Sequence, residues 1–178
     1  ALARREAHTM NAAPINKLGK YVSAIEKWVP QKFRGQAISF LFNSQIKFAG
    51  TASIRFETLT PSVSTVFLPN SRKNQNHIGG PHACAMALAA ETATGSVFGM
   101  NVPDSHIPLC KSMNVRFVRR AKAGQLKAQA TLTPEQIQTI RTTDKGEVLV
   151  SVKVEDEDGQ EPVLCDMVWA WVPKKKQD

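Results

Sequence analysis

The segment Asn76-His77-Ile78-Gly79-Gly80-Pro81-His82 runs directly into an alanine-rich stretch that reads as a helix. Where a loop meets a helix start, unpaired backbone N–H groups and the positive end of the helix dipole gather. Such a place can hold an anion or a developing oxyanion. Gly79 and Gly80 carry no Cβ to keep a ligand off the backbone. Nine residues after His82, on the same helix, stands Glu91, the one acid between Glu57 and Asp104. Its neighbours Ala89, Ala90, Thr92 and Ala93 cannot neutralise it. A carboxylate on a helix expected to be buried is costly unless it is paired, hydrogen-bonded or used. The chemistry it suggests is general-base activation of water, which needs burial to lift an ordinary carboxylate pKa toward neutrality. Asn76 either orients water or substrate, or caps a turn. His82 completes the candidate catalytic set, more as the residue that orients the loop than as a base. Cys84 is either a nucleophile or a small core thiol, and the second reading is favoured because no Cys-His-acid order is visible.

These residues need elements to position them. Leu18, Tyr21, Val22, Ile25, Trp28 and Val29 mark one face of an amphipathic helix that Pro30 closes. Gln36 to Phe48 is too apolar for a plain loop but has no assignable period. Its Phe40, Phe42 and Phe48 either pack on the core or line an apolar pocket. Alternation over Ala52–Glu57, a Thr60-Pro61 turn and a β-branched run over Val63–Leu68 predict a hairpin. The central helix is expected from Pro81 to Phe98, with Gly99 and Pro103 beyond it. Everything after it reads as strand: Met113–Val118, Leu126–Leu132, Val148–Val154 and Val163–Val172, the last with Trp169 and Trp171 on one face. Helix, two strands, long helix, four strands is an α+β order. An antiparallel sheet wrapped around the helix could approach it closely, because Ala83, Ala85, Ala87, Ala89, Ala90 and Ala93 add almost no bulk. Residues 1–15 read as a flexible leading segment or tag remnant, 16–173 as one domain and 174–178 as a basic tail.

The chain has 178 residues, 42% hydrophobic and 21% charged, which fits one globular domain and excludes a fibrous or disordered chain. No run approaches the roughly 18 apolar residues of a membrane span, so no membrane role is expected. Cys84, Cys110 and Cys165 are too few and too scattered for a disulfide framework or a zinc site. They fit a reducing compartment: the cytoplasm, with the mitochondrial matrix as the alternative. The net charge of +8 is compatible with nucleic acid, an anionic surface or a phosphorylated ligand. Lys111 to Lys127 is basic and free of acids, but only Phe117 interleaves with it, which argues against nucleic acid. That stretch is either a solvated edge or an anion clamp containing Arg116, Arg119 and Arg120.

The order Asn76, His82, Glu91 on an Ala-rich helix followed by four strands resembles the hotdog-fold acyl-CoA thioesterases, and among them the phenylacetate-type branch and related proteins of unknown function. The resemblance covers roughly Thr51 to Val172. It implies a hotdog fold with an added N-terminal helix, and hydrolysis of acyl-CoA or acyl-carrier thioesters. Glu91 would activate water, and the amides around Gly79, Gly80, Ala83 and Cys84 would bind the thioester carbonyl. It implies no cofactor beyond the coenzyme A of the substrate, whose phosphates would meet Arg116, Arg119 and Arg120. It also implies active sites shared across a homodimer or dimer of dimers, with the acid coming from the opposite subunit. His82-Ala83-Cys84 stands where the family has His-Gly-Gly, which implies a narrowed thioester entry and weak turnover. A non-catalytic acyl-binding protein, or a dehydratase or cyclase on the same scaffold, are the competing functions. Assembly is also expected from the sheet edge and from an apolar face ending in Trp169 and Trp171 that needs cover.

Overall fold

The computed structural model describes residues 14–175; most of the expected leading segment and the last three residues of the basic tail lie outside them. Three helices come first, α1 (Lys17–Trp28), α2 (Gln31–Gln45) and α3 (Lys47–Ala52). Asn16 starts α1 by accepting from the Gly19 amide at 2.8 Å. Its Nδ2 donates to the carbonyls of Gly99 and Val102 at 2.7 and 2.6 Å, which fastens α1 to distant parts of the chain. The unassigned stretch around Gln36–Phe48 is therefore helical, and the strand expected from Ala52 begins later. Ala52 still closes α3, and Ser53 turns the chain with a left-handed φ of 58°.

The hairpin follows as β1 (Arg55–Leu59) and β2 (Val63–Leu68), and the central helix as α4 (Ala83–Gly99). The helix starts two residues after Pro81 because His82 takes the N-cap position. Then come β3 (His106–Phe117), β4 (Leu126–Thr131), α5 (Pro134–Thr142), β5 (Gly146–Glu155) and β6 (Val163–Pro173). Helix α5 corrects the expectation that only strands follow the central helix. Thr133 and Gln136 form a reciprocal capping box, Pro134 occupies the first turn, and Ile137 and Ile140 are buried.

The six strands make one antiparallel sheet in the order β1-β2-β4-β5-β6-β3. Helix α4 lies against β2, β4, β5 and β6, with Ala89, Ala90, Ala93 and Val97 fully buried. Alanine permits this approach, and glycine permits a closer one. A Cβ on Gly95 would stand 2.7 Å from the Trp169 ring. The Trp169 Nε1 donates to Thr94 Oγ1 at 3.0 Å, and Phe98 packs against both Trp169 and Trp171. The two tryptophans thus find their cover inside the chain itself, so they are not a face that needs a partner. Gly95→Val should force the ring out of place and cost about 1–3 kcal/mol. A thermal melt should show a fall of several degrees; an unchanged midpoint would mean that the helix can move away from β6.

The exposed apolar surface lies instead on β3, an edge strand exposed along nearly its whole length. Cross-strand partners share a face of the sheet. Met113 pairs with Met167 and Phe117 with Val163, and both partners are buried. Met113 and Phe117 therefore lie on the helix side of the sheet, yet they are 54% and 52% exposed.

Candidate active site

Glu91 sits midway along α4, half-buried, in the wall of a cleft of about 460 Å³. Thr92, Gly95 and Ser96 of α4, Phe42 of α2, His106 and Pro108 of β3, and Trp169 of β6 share that wall. Among the described residues no cation pairs with Glu91. Burial pushes its carboxyl above the usual carboxylate range, and the nearby Thr92 hydroxyl offsets a smaller part. That hydroxyl lies short of a formed hydrogen bond: Thr92 is 4% exposed and its Oγ1 has no partner. The thiols of Cys110 and Cys165, neither of which lines the cleft, are both harder to ionise than an ordinary thiol. Partial burial and then the Glu91 charge push the Cys110 thiol up, while burial and then Asp166 raise Cys165 to about 11.

The start of α4 presents a different face of the molecule. Asn76 folds its own loop: its Oδ1 accepts from the amides of Ile78 and Gly80 at 3.0 and 3.1 Å, and its Nδ2 donates to the Pro81 carbonyl at 3.3 Å. All of its polar groups thus hold the loop in shape. Gly79 completes the turn with φ +78°, a conformation that favours glycine. His82 Nδ1 accepts from the Cys84 amide at 3.1 Å. That bond places the proton of a neutral ring on Nε2 and makes His82 the helix cap. It also takes the Cys84 amide out of the set open to a ligand. The amides of Ala83 and Ala85 make no hydrogen bond to a described residue and remain the helix-end donors. The Cys84 side chain is exposed, which corrects its reading as a core thiol.

The sequence-derived residues fall into three groups. Glu91 and Phe42 meet in the large cleft, where the Phe42 ring is braced by Phe56 at 4.6 Å between centroids. Asn76, Gly80, Ala83, Arg119 and Arg120 surround a hollow of about 210 Å³ together with Phe117. His82 and Cys84 border a smaller hollow with Phe48. Phe40 and Phe48 are 80% and 66% exposed and do not join Phe42 in the cleft. Arg116 lies on the exposed edge strand, outside all of these hollows. Nine residues of helix separate His82 from Glu91, about 13 Å along the axis. Within the chain the two line different hollows.

Arg119 has a structural task. Its Nη1 donates to Asp156 Oδ2 at 2.7 Å, and the same carboxylate accepts from the amides of Lys122, Asp158 and Gln160. Burial alone would raise the Asp156 carboxyl, but the amides of Lys122 and Gln160, with Arg119, outweigh it and leave it below its ordinary value. A lowered carboxyl contributes stability above its unfolded value, and that contribution is lost as acid is added through the folded one. Asp156→Ala should leave these amides unpaired and cost about 1–3 kcal/mol at neutral pH. The mutant should also lose less stability than the parent on acidification, which chemical denaturation at two pH values would measure. Arg120 makes no ion pair among the described residues and is the arginine left open beside the start of α4.

Sequence reasoning missed Leu18, Thr92, His106 and Lys174 as cleft residues. They come from four separate places in the chain and carry no shared spacing, so only the folded sheet brings them together.

A long buried helix wrapped by a six-stranded antiparallel sheet is the arrangement of a hotdog domain. The chain belongs to the family described as Domain of unknown function (DUF4442), whose model matches residues 34–172. No curated protein matches the chain. Among solved structures it is similar to a protein of unknown function, probable thioesterase, from Pseudomonas aeruginosa. The two are 27% identical over 76% of this chain and 93% of that one, with a TM-score of 0.69. It also shares its fold with a thioesterase from Haemophilus influenzae, at 11% identity, 80% and 94% coverage and a TM-score of 0.63. A thioesterase family protein from Silicibacter pomeroyi matches at 15% identity, 76% and 96% coverage and a TM-score of 0.58. No helix among the described residues is long and apolar enough to cross a membrane.

Proposed function

We propose that this protein is a thioester hydrolase acting on acyl-CoA or acyl-carrier thioesters, with Glu91 as the base that activates water. The observation that carries the reading is Glu91 itself, a half-buried carboxylate without a cation partner in the wall of an apolar cleft. Burial raises its proton affinity toward the range useful for a base at neutral pH. The attacking water gives its proton to Glu91 as its oxygen bonds to the acyl carbon. The carbonyl becomes an oxyanion, which the free amides at a helix start stabilise. Collapse of that intermediate expels the thiol, which leaves with the proton held by Glu91.

The roughly 12 Å of helix between Glu91 and Ala83 supports a site completed by a second copy. The exposed β3 edge and the uncovered Met113 and Phe117 favour an isologous dimer along that edge. Two antiparallel central helices side by side would bring the start of one near the middle of the other. Arg120, beside Ala83, would then meet a coenzyme A phosphate.

Release of free thiol from a panel of acyl-CoAs, read with a chromogenic disulfide, tests the activity. The absence of release from every member would favour the acyl-binding reading instead. The pair Ala83→Gly and Cys84→Gly should hydrolyse faster, since both Cβ atoms stand at the helix start, while losing up to about 1 kcal/mol per glycine. A pair that melts lower without gaining rate would show that these side chains do not limit entry.

A further inference from the structure

The Glu91 cleft does not end at the sheet. Leu18, Phe42 and Ile46 form part of its wall, and the same three residues line a second groove of about 530 Å³ between α1 and α2. Tyr21 and Leu41 continue that groove, and Lys17 and Gln45 stand beside them as its polar members. The walls are held in place. Asn16 ties the start of α1 to the Gly99 and Val102 carbonyls, the Lys17 amide donates to Asp104, and Phe56 braces the Phe42 ring.

The two spaces together have a polar end and an apolar end. At the polar end are the Glu91 carboxylate and the buried, unpartnered hydroxyl of Thr92. At the apolar end, Tyr21 and Ile46 are 56% and 47% exposed on a surface that water covers at a cost. A fatty acyl thioester has the same gradient, a polar reacting group on a long hydrocarbon tail.

We propose that the groove between α1 and α2 receives the acyl tail, so that the site selects long-chain aliphatic thioesters. The choice of a thioester rests on the hydrolase reading above; the binding of the tail does not. The space between the helices sets the usable chain length, and Ile46 and Tyr21 on its two walls are specificity-determining residues.

The test measures the affinity of non-hydrolysable S-alkyl-CoA thioethers from C4 to C14 by calorimetry, for the parent, Ile46→Asp and Tyr21→Asp. Each added methylene should tighten binding to the parent about fourfold until the groove is full. Both substituted positions are exposed, so the variants should fold, and each should weaken the C14 analogue at least tenfold more than the C4 analogue. Affinity independent of chain length in the parent, or a gradient that survives both substitutions, would overturn the proposal. So would a fall in molecular mass of the variants by light scattering, since a second copy would then be the occupant. Thiol release is assayed in parallel with the matching thioesters. A binding gradient without release at any length ends the hydrolase reading and leaves the groove standing. Release with no dependence on length does the reverse.

Discussion

Glu91→Gln should lower the rate of thioester hydrolysis by roughly 10² to 10⁴, the usual range for losing a general base. The amide keeps the shape and reach of the carboxylate, so binding of a thioether analogue should change little. Stability should move in the opposite direction from activity. Burial raises the Glu91 carboxyl in the folded chain, so the folded state binds this proton more tightly than the unfolded state does. At a pH above the raised value, the group is ionised in both states and its desolvation opposes folding. The neutral amide removes that opposition, so Glu91→Gln should melt at the same temperature as the parent or higher at pH 8. The same shift fixes the pH profile. The parent rate should rise with pH through the raised Glu91 value and then level, and the rising limb should vanish in the mutant. A mutant as fast as the parent, or one that melts lower with its activity intact, would make Glu91 a structural acid.

Where the chain repeats a simple period, its elements were legible. The alanines of α4 and the valines of β5 leave little choice, because each pattern fits one backbone and buries one face. Helix α2 was hidden because its apolar residues do not gather on one side: Phe40 faces water while Ile38 is buried. Helix α5 had readable signals in Thr133, Pro134 and Gln136, followed by Ile137 and Ile140, but nine residues between strong strands are easily read through. The N-terminal part of β3, His106 to Ser112, escaped because an exposed edge strand has no buried face to impose alternation.

The site was legible in its charge and not in its surroundings. Glu91 stood out because nothing nearby in the chain could neutralise it, and the fold leaves it without a cation. The use of the Asn76 and His82 side chains could not be read, since both depend on which amides the loop turns toward them. Arg119 looked like its neighbours Arg116 and Arg120. Only the return of the chain through Asp156 commits it to an internal pair. Thr92 was invisible for the opposite reason, because a missing hydrogen bond leaves no mark in sequence.

If the protein is the β3-edge dimer and hydrolase proposed above, Met113→Asp should convert it to a monomer and lower hydrolysis by about 10² to 10³, the loss seen when an oxyanion donor is removed. Met113 lies in the middle of the β3 edge, on the helix side, and is half exposed in the single chain. Across a two-fold axis along that edge, two introduced carboxylates would approach each other in a partly dry interface, where like charges repel strongly. Within the protomer the same change meets mostly solvent, so the melt of the isolated chain should shift little. The loss of rate follows from distance rather than from damage at Glu91, since about 12 Å of helix separates that residue from its own Ala83 and about 9 Å from its own Ala85. Light scattering with the thiol-release assay on the same samples distinguishes the outcomes. A monomer that keeps the parent rate would show that one copy holds a complete site. A parent that is already monomeric at micromolar concentration would remove the shared site, and the helix start would then need another role.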